Sequence, residues 1–393
     1  MPIATLLSLL SVTTPGVAQQ SVVWTELPLR PGGDLAAHLE LQFPSPRPLG
    51  DPINDRVYAE LFVPVAPAPP PLVVVLHQYA AQGDWLSPLY RRKLNAAGLA
   101  ALLVELPYHF HRLPPGMRSS EALLQPDVDH IVGILDQAAA DASEAARLAA
   151  ARPEVDGSRR GITGLSLGAM VSLIAVARDP QFAAAVSVLG AGDLPTILRE
   201  GFITTHVWKQ LTADPAARAA AEAKLAALDP IHASPPPQLP VLFVAARHDR
   251  VIPPGATQRT IAAFPHAETL WVNSAHHTAF LSGDALFGAG TAYLRDHLGL
   301  APGTFRARAI AAFRLRLGLL AHTKGYIGPA AVLGWSGLDP EGSVSVDLGA
   351  GVKSAFVGLS AEPVNNLHVG VGTSILSQEP GGPFAYVTGS WSF

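Results

Sequence analysis

Apolar and polar positions follow two different periods along this chain, and the change falls near residue 300. The run Leu72-Val73-Val74-Val75-Leu76 is continuously apolar between a proline stretch and a polar loop, as expected for a strand covered on both faces. Residues 99–106, 183–189, 241–246 and 269–272 read as further strands, and 56–64 alternates with Val57, Ala59, Leu61 and Val63 on one side. Helical stretches fall between them: 86–97 ending at Gly98, an Ala-rich amphipathic run over 120–152 stopped by Pro153, one near 256–263, and a closing one at 284–298. Strand and helix alternating on this scale predict an α/β domain over residues 21–300, with a doubly wound, mostly parallel sheet. Between 192 and 240 the alternation is interrupted by helical stretches at 195–210 and 216–228. A long insertion after a central strand is expected to fold over the carboxyl edge of the sheet as a cap.

After residue 300 the period becomes two. Residues 313–317, 344–348, 367–371 and 386–393 alternate, with glycine and turn signals between them, which predicts an all-β appendage over 301–393 with roughly five or six strands. These segments resemble strands of outer-membrane β-barrel proteins, down to the aromatic Phe393. A membrane barrel, however, takes at least about eight strands from one chain. The expectation is therefore a small β-sandwich or sheet that docks on the α/β body or pairs between subunits into a homo-oligomer.

Composition narrows the class. In 393 residues, 49% are hydrophobic and 15% charged, so a large core is available and disorder is not expected. A net charge of −4 gives no basis for nucleic acid or an anionic membrane surface as partner. The absence of cysteine excludes disulfides, thiolate metal sites and a cysteine nucleophile. Residues 3–12 are apolar and lead into Thr13-Thr14-Pro15-Gly16-Val17-Ala18. Residues 1–20 are therefore expected to be a signal peptide and the protein to be exported, although no Lys or Arg precedes the apolar run. That run is too short for a membrane span, and no transmembrane helix is expected elsewhere.

The chemistry centres on Gly161-Ile162-Thr163-Gly164-Leu165-Ser166-Leu167-Gly168-Ala169-Met170, a G-x-S-x-G sequence with an apolar run before it and small residues after it. This is the pattern of a nucleophile elbow, a strand-to-helix turn that exposes a strained serine. Gly164 and Gly168 stand where a Cβ would collide with the neighbouring strand or with the turn. A serine nucleophile needs a base and an acid to orient that base. Asp249 follows the strand 241–246 and lies on the same rim as Ser166, with Asp193 as the rival acid. His276 and His277 follow the strand 269–272. His276 is the chosen base, because three residues separate it from the strand and let its ring swing back over Ser166. A metal site at this histidine pair is disfavoured by the lack of cysteines and of well-spaced carboxylates. The oxyanion hole requires two N–H donors: that of Leu167, after the nucleophile, and that of Tyr79, with Gln78 the alternative, in the loop His77-Gln78-Tyr79.

The stretch 152–168, Leu228-Asp229-Pro230 ahead of the strand 240–244, and Asp249-Arg250-Val251-Ile252-Pro253-Pro254 together resemble α/β-hydrolases of the dienelactone-hydrolase and acyl-peptidase-like branch. The likeness runs over about residues 55–300. It implies Ser166, Asp249 and His276 as a triad and no cofactor. Two departures are visible: the oxyanion loop reads His-Gln-Tyr rather than His-Gly, and Ser274-Ala275-His276 lacks a glycine before the histidine. The expected activity is a serine hydrolase cleaving small-molecule carboxylic esters through an acyl-enzyme. The alternatives are amide or peptide cleavage on the same residues, and a non-catalytic scaffold that keeps the fold.

Overall fold

The computed structural model describes residues 21–79, 83–233, 238–322, 327–339, 343–352, 354–364, 367–377 and 383–390. The expected signal peptide, the proline run at 234–237 and Phe393 lie outside the described residues.

Nine strands form one sheet: β1 (Val23–Glu26), β2 (Leu35–Pro44), β3 (Arg56–Pro64), β4 (Pro71–Leu76), β5 (Ala100–Val104), β6 (Asp156–Leu165), β7 (Ala184–Val188), β8 (Pro240–Ala246) and β9 (His266–Val272). Their order is β1-β2-β3-β5-β4-β6-β7-β8-β9. From β5 to β9 every pair is parallel, and β1, β2 and β3 make an antiparallel edge ending on β5. β4 is buried along its whole length because helices cover both of its faces. One layer contains Val128–Ala150 and Leu167–Arg178; the other contains Leu86–Ala96 and Gly283–His297.

Three details depart from the sequence-based reading. The antiparallel edge strands β1 and β2 were not expected, although Leu39, Leu41 and Phe43 of β2 are buried in the same alternation that marks β3. The long Ala-rich run is two helices, Ser119–Leu123 and Val128–Ala150, separated at Gln125-Pro126. Asp127 caps the second by accepting the Asp129 and His130 N–H groups. The inserted segment forms three helices, Leu194–Glu200, Thr205–Leu211 and Pro215–Leu228.

Beneath the short turn at Phe110–Arg112 lies a buried ion pair. Arg112 Nη2 stands 2.8 Å from Asp141 Oδ2, with side chains 0% and 1% exposed. Arg112 also donates to the carbonyls of Asn54 and Glu105, and Asp141 accepts from Ser45 Oγ at 2.5 Å.

The C-terminal strands are β10 (Ala312–His322), β11 (Ile327–Ser336), β12 (Val344–Gly351), β13 (Ser354–Val364), β14 (Leu367–Ser377) and β15 (Pro383–Ser390). They are antiparallel in chain order, and β15 returns to pair with β10, from Arg316↔Ser390 to His322↔Phe384. The expected sandwich or open sheet is thus a closed six-stranded barrel. Small inward residues allow so tight a closure. A Cβ on Gly334 would strike the Arg316 guanidinium, and one on Gly370 the Tyr386 ring, so the narrow lumen is already filled. Burial runs opposite to that of β2 and β3: Arg316, Asp347, Ser360 and His368 are buried, while alternate residues such as Leu319 and Val371 are exposed.

The near end of the barrel rests on the loop after β9. Ser274 Oγ donates to the Phe313 carbonyl at 2.6 Å, Arg314 Nη1 to Asn273 Oδ1 at 3.1 Å, and Asn273 Nδ2 to Glu362 at 3.3 Å.

Candidate active site

The turn from β6 into the helix Leu167–Arg178 is made at Ser166, which has φ 52° and ψ −111°. A non-glycine residue reaches such angles only where its surroundings force it there. Here the Ser166 N–H is held by the Val188 carbonyl of β7 at 2.8 Å. A Cβ on Gly164 would strike the Gly168 carbonyl, and one on Gly168 the carbonyls of Leu76 and His77. Both glycines therefore have the steric reason inferred from their spacing.

Ser166 Oγ lies 2.9 Å from His276 Nε2, and His276 Nδ1 lies 2.7 Å from Asp249 Oδ2. The carboxylate only accepts, so Nδ1 carries the hydrogen and Nε2 is left to accept from the serine hydroxyl. The second carboxylate oxygen accepts the N–H groups of Val251 and Ile252 at 2.8 Å each, which fixes its plane. All three side chains are buried. His277 is exposed with its ring across that of His276, and Asp193 pairs with Arg259 at 2.5 Å. The hydrogen bond to Ser166 Oγ is made by His276, and the one to His276 Nδ1 by Asp249.

Tyr79 and Leu167 line the same cavity as Ser166. The loop carrying Tyr79 is braced by His77, a role its sequence did not reveal. The His77 Nδ1–H donates to the Gln78 carbonyl at 2.6 Å, and Nε2 accepts the Leu106 N–H at 3.0 Å. Both ring nitrogens are used by a neutral imidazole, and burial holds the pKa down at about 4. His109, beside it, is lowered by burial to about 3. His248 precedes Asp249, bonds Asn273 at 2.8 Å and is lowered to about 4, by burial and then by the nearby Arg314 charge. Unfolded histidines titrate near 6.5. Between that pH and 4 the unfolded chain therefore binds protons that the folded chain refuses, so stability falls as pH drops through this window. The melting temperature is expected to decline from pH 6.5 to 5, where carboxylates contribute little. A flat profile there would mean that these rings protonate in the folded protein.

A second unforeseen contribution comes from the barrel. Phe313, Arg314 and Glu362 tie down Asn273 and Ser274, next to His276, and nothing in residue spacing signals a link between parts of the chain so far apart. Ser274 also shares a hydrogen bond with Thr278 Oγ1 at 2.9 Å. Ser274→Ala is expected to lower kcat on the order of 10-fold with little change in KM, since small misplacements of a catalytic group are costly. An unchanged kcat would show that the loop holds its shape without this anchor.

The cavity in front of Ser166 has Leu123, Ile131, Met170, Ile197, Val207 and Leu225 among its walls. Among the described residues, apart from Tyr79, Ser166 and Thr204, every lining residue is aliphatic or Met. The inserted helices supply one side of it.

Residues 135–274 match the prolyl oligopeptidase family, a match that ends before the barrel begins. No curated protein matches the chain. Among solved structures, acetyl xylan esterase 1 from Thermoanaerobacterium sp. JW/SL YS485 superposes with a TM-score of 0.53 at 18% identity, covering 70% of this chain and 87% of its own. An acetyl xylan esterase from Paenibacillus sp. R4 gives 0.53 at 16%, covering 70% and 89%. A puromycin-hydrolyzing peptidase from Mycobacterium tuberculosis gives 0.50 at 20%, covering 68% of this chain and 40% of its own. At such identities the likeness is one of fold. The fold and the family match define the class as a serine hydrolase on an α/β-hydrolase framework.

Proposed function

We propose that the protein is a carboxylic ester hydrolase selective for apolar acyl groups, working through an acyl-enzyme on Ser166. His276 takes the hydroxyl proton as Ser166 Oγ attacks the ester carbonyl, and Asp249 stabilises the imidazolium that results. The N–H groups of Leu167 and Tyr79 receive the developing oxyanion. His276 then returns the proton to the leaving alcohol, and water, activated by the same imidazole, releases the acid. The observation that carries this reading is the aliphatic cavity beside Ser166. It suits a hydrocarbon chain, and among the described residues its lining holds no charged group to seat a peptide terminus. The family match favours peptide cleavage as the second reading.

The test is a series of p-nitrophenyl esters of rising chain length beside the corresponding p-nitroanilides. The expected result is kcat/KM rising from acetate to medium chains, with anilides far slower. Faster anilide cleavage would establish the peptidase reading. A folded protein that resists a fluorophosphonate probe would point to a scaffold instead. Export belongs to the same proposal and rests on the apolar run at residues 3–12; cell fractionation checks it.

A further inference from the structure

The six-stranded barrel has its polarity reversed relative to a barrel built for water. Every Arg, Asp and Glu described within its strands, namely Arg314, Arg316, Asp347 and Glu362, points inward and is nearly or fully buried. These charges are matched inside. Arg316 and Tyr386 both bond Asp347 in the lumen, Arg316 also donates to Ser360 at 2.8 Å, and Arg314 pairs with Glu362 at 2.9 Å. Among the described residues the outward positions are apolar on all six strands apart from Thr373, with Leu317, Leu333, Leu348, Leu359, Val371 and Val387 as one example from each. Leu348 is 57% exposed and Val371 64%. In water this costs twice, because hydrocarbon faces solvent while charges are withdrawn from it.

We propose that this barrel is seated in a lipid bilayer, with acyl chains covering its outer face. Three observations favour lipid over a protein partner. First, the band runs all the way round. β10 pairs with β15, so the apolar positions form a ring, whereas a second copy would cover one side of it. The α/β body holds the near end, through Phe313, Arg314 and Glu362. Second, the height fits. The strands have 8 to 11 residues, which at the usual rise and a tilt near 40° spans roughly 20–29 Å, against an apolar band of about 25 Å in outer-membrane barrels. Third, closure leaves no strand edge, so the ladder satisfies the backbone without water, as hydrocarbon requires. Six strands are fewer than the eight at which such barrels usually begin, and the inward glycines and the filled lumen are what permit the smaller ring. The anchored loop Asn273–Ser274 then holds the hydrolase at the bilayer surface, on its aqueous side.

The absence of cysteine makes single-cysteine labelling unambiguous. Full-length protein bearing Leu317→Cys, Leu348→Cys, Leu359→Cys or Val371→Cys is labelled with an environment-sensitive fluorophore and reconstituted into phosphatidylcholine vesicles. The control is Val65→Cys on the α/β body, where the native residue is 69% exposed. Labels at all four barrel positions are expected to be quenched severalfold by lipids brominated on their acyl chains, and the Val65 label to be unaffected. Leu317→Arg with Leu359→Arg should cut the vesicle-bound fraction in flotation at least tenfold while near-ultraviolet circular dichroism is kept. Quenching of the four labels by aqueous iodide rather than brominated lipid would overturn the proposal. So would a detergent-free soluble dimer in which only one side of the ring is protected, which would place a second copy on the barrel.

Discussion

Ser166→Ala is expected to reduce kcat by about 10⁴- to 10⁶-fold, with His276→Ala close behind and Asp249→Ala somewhat less severe. The residues act as one unit, so the double change Ser166→Ala with His276→Ala should cost little more than either alone. The fold should survive, because Ser166 caps no helix N–H with its side chain and its strained backbone is held by Val188 and by the two flanking glycines. Residual turnover above the uncatalysed rate would report the oxyanion donors and binding. His277→Ala is expected to stay within about twofold of the parent, since its ring is exposed and the hydrogen bond to the Ser166 hydroxyl is made by His276. Steady-state kinetics on one ester for all five variants, each checked by circular dichroism, decide the matter. Greater damage from His277→Ala than from His276→Ala would reassign the base.

The largest expected loss of stability is at a residue that touches no substrate. Asp141→Ala strips the ionic partner from Arg112, whose guanidinium is fully buried. Burial itself raises the Asp141 pKa, with Arg112 opposing it, so the pair as a whole stabilises weakly while a lone Arg112 would be costly. Removing one partner of a buried pair costs about 3–5 kcal/mol. In a domain of this size that is a fall in melting temperature of about 10 °C. Replacing both with apolar residues, Arg112→Met and Asp141→Leu, should recover much of the loss. A single variant within about 2 °C of the parent would mean that water reaches the orphaned guanidinium.

What could be read from the sequence was local. Ser166 is marked by glycines two residues away on either side, and a Cβ at either position would collide with backbone close to the turn itself. Asp249 and His276 follow apolar runs long enough to be strands, so chain order alone put them on one rim. The edge strand β2 carried its period-two signal in Leu39, Leu41 and Phe43. Barrel closure was not legible, because it depends on which glycines face which large side chains across the lumen, as Gly370 faces Tyr386. The anchor on Ser274 was equally hidden: a hydroxyl in a loop and a carbonyl in a strand have no mutual pattern in a linear chain.

The same anchor imposes an order in time. Ser274 and the Phe313 carbonyl that receives its hydrogen are 39 positions apart, and Glu362 comes later still, so the ribosome releases the loop bearing His276 well before the barrel residues that anchor it. The pairing of β15 with β10 that completes the ring joins residues as far apart as Arg316 and Ser390, a separation of the kind that makes closure slow. A nascent chain thus owns its elbow early and its braced histidine late. The surroundings of His276 are completed only with the barrel.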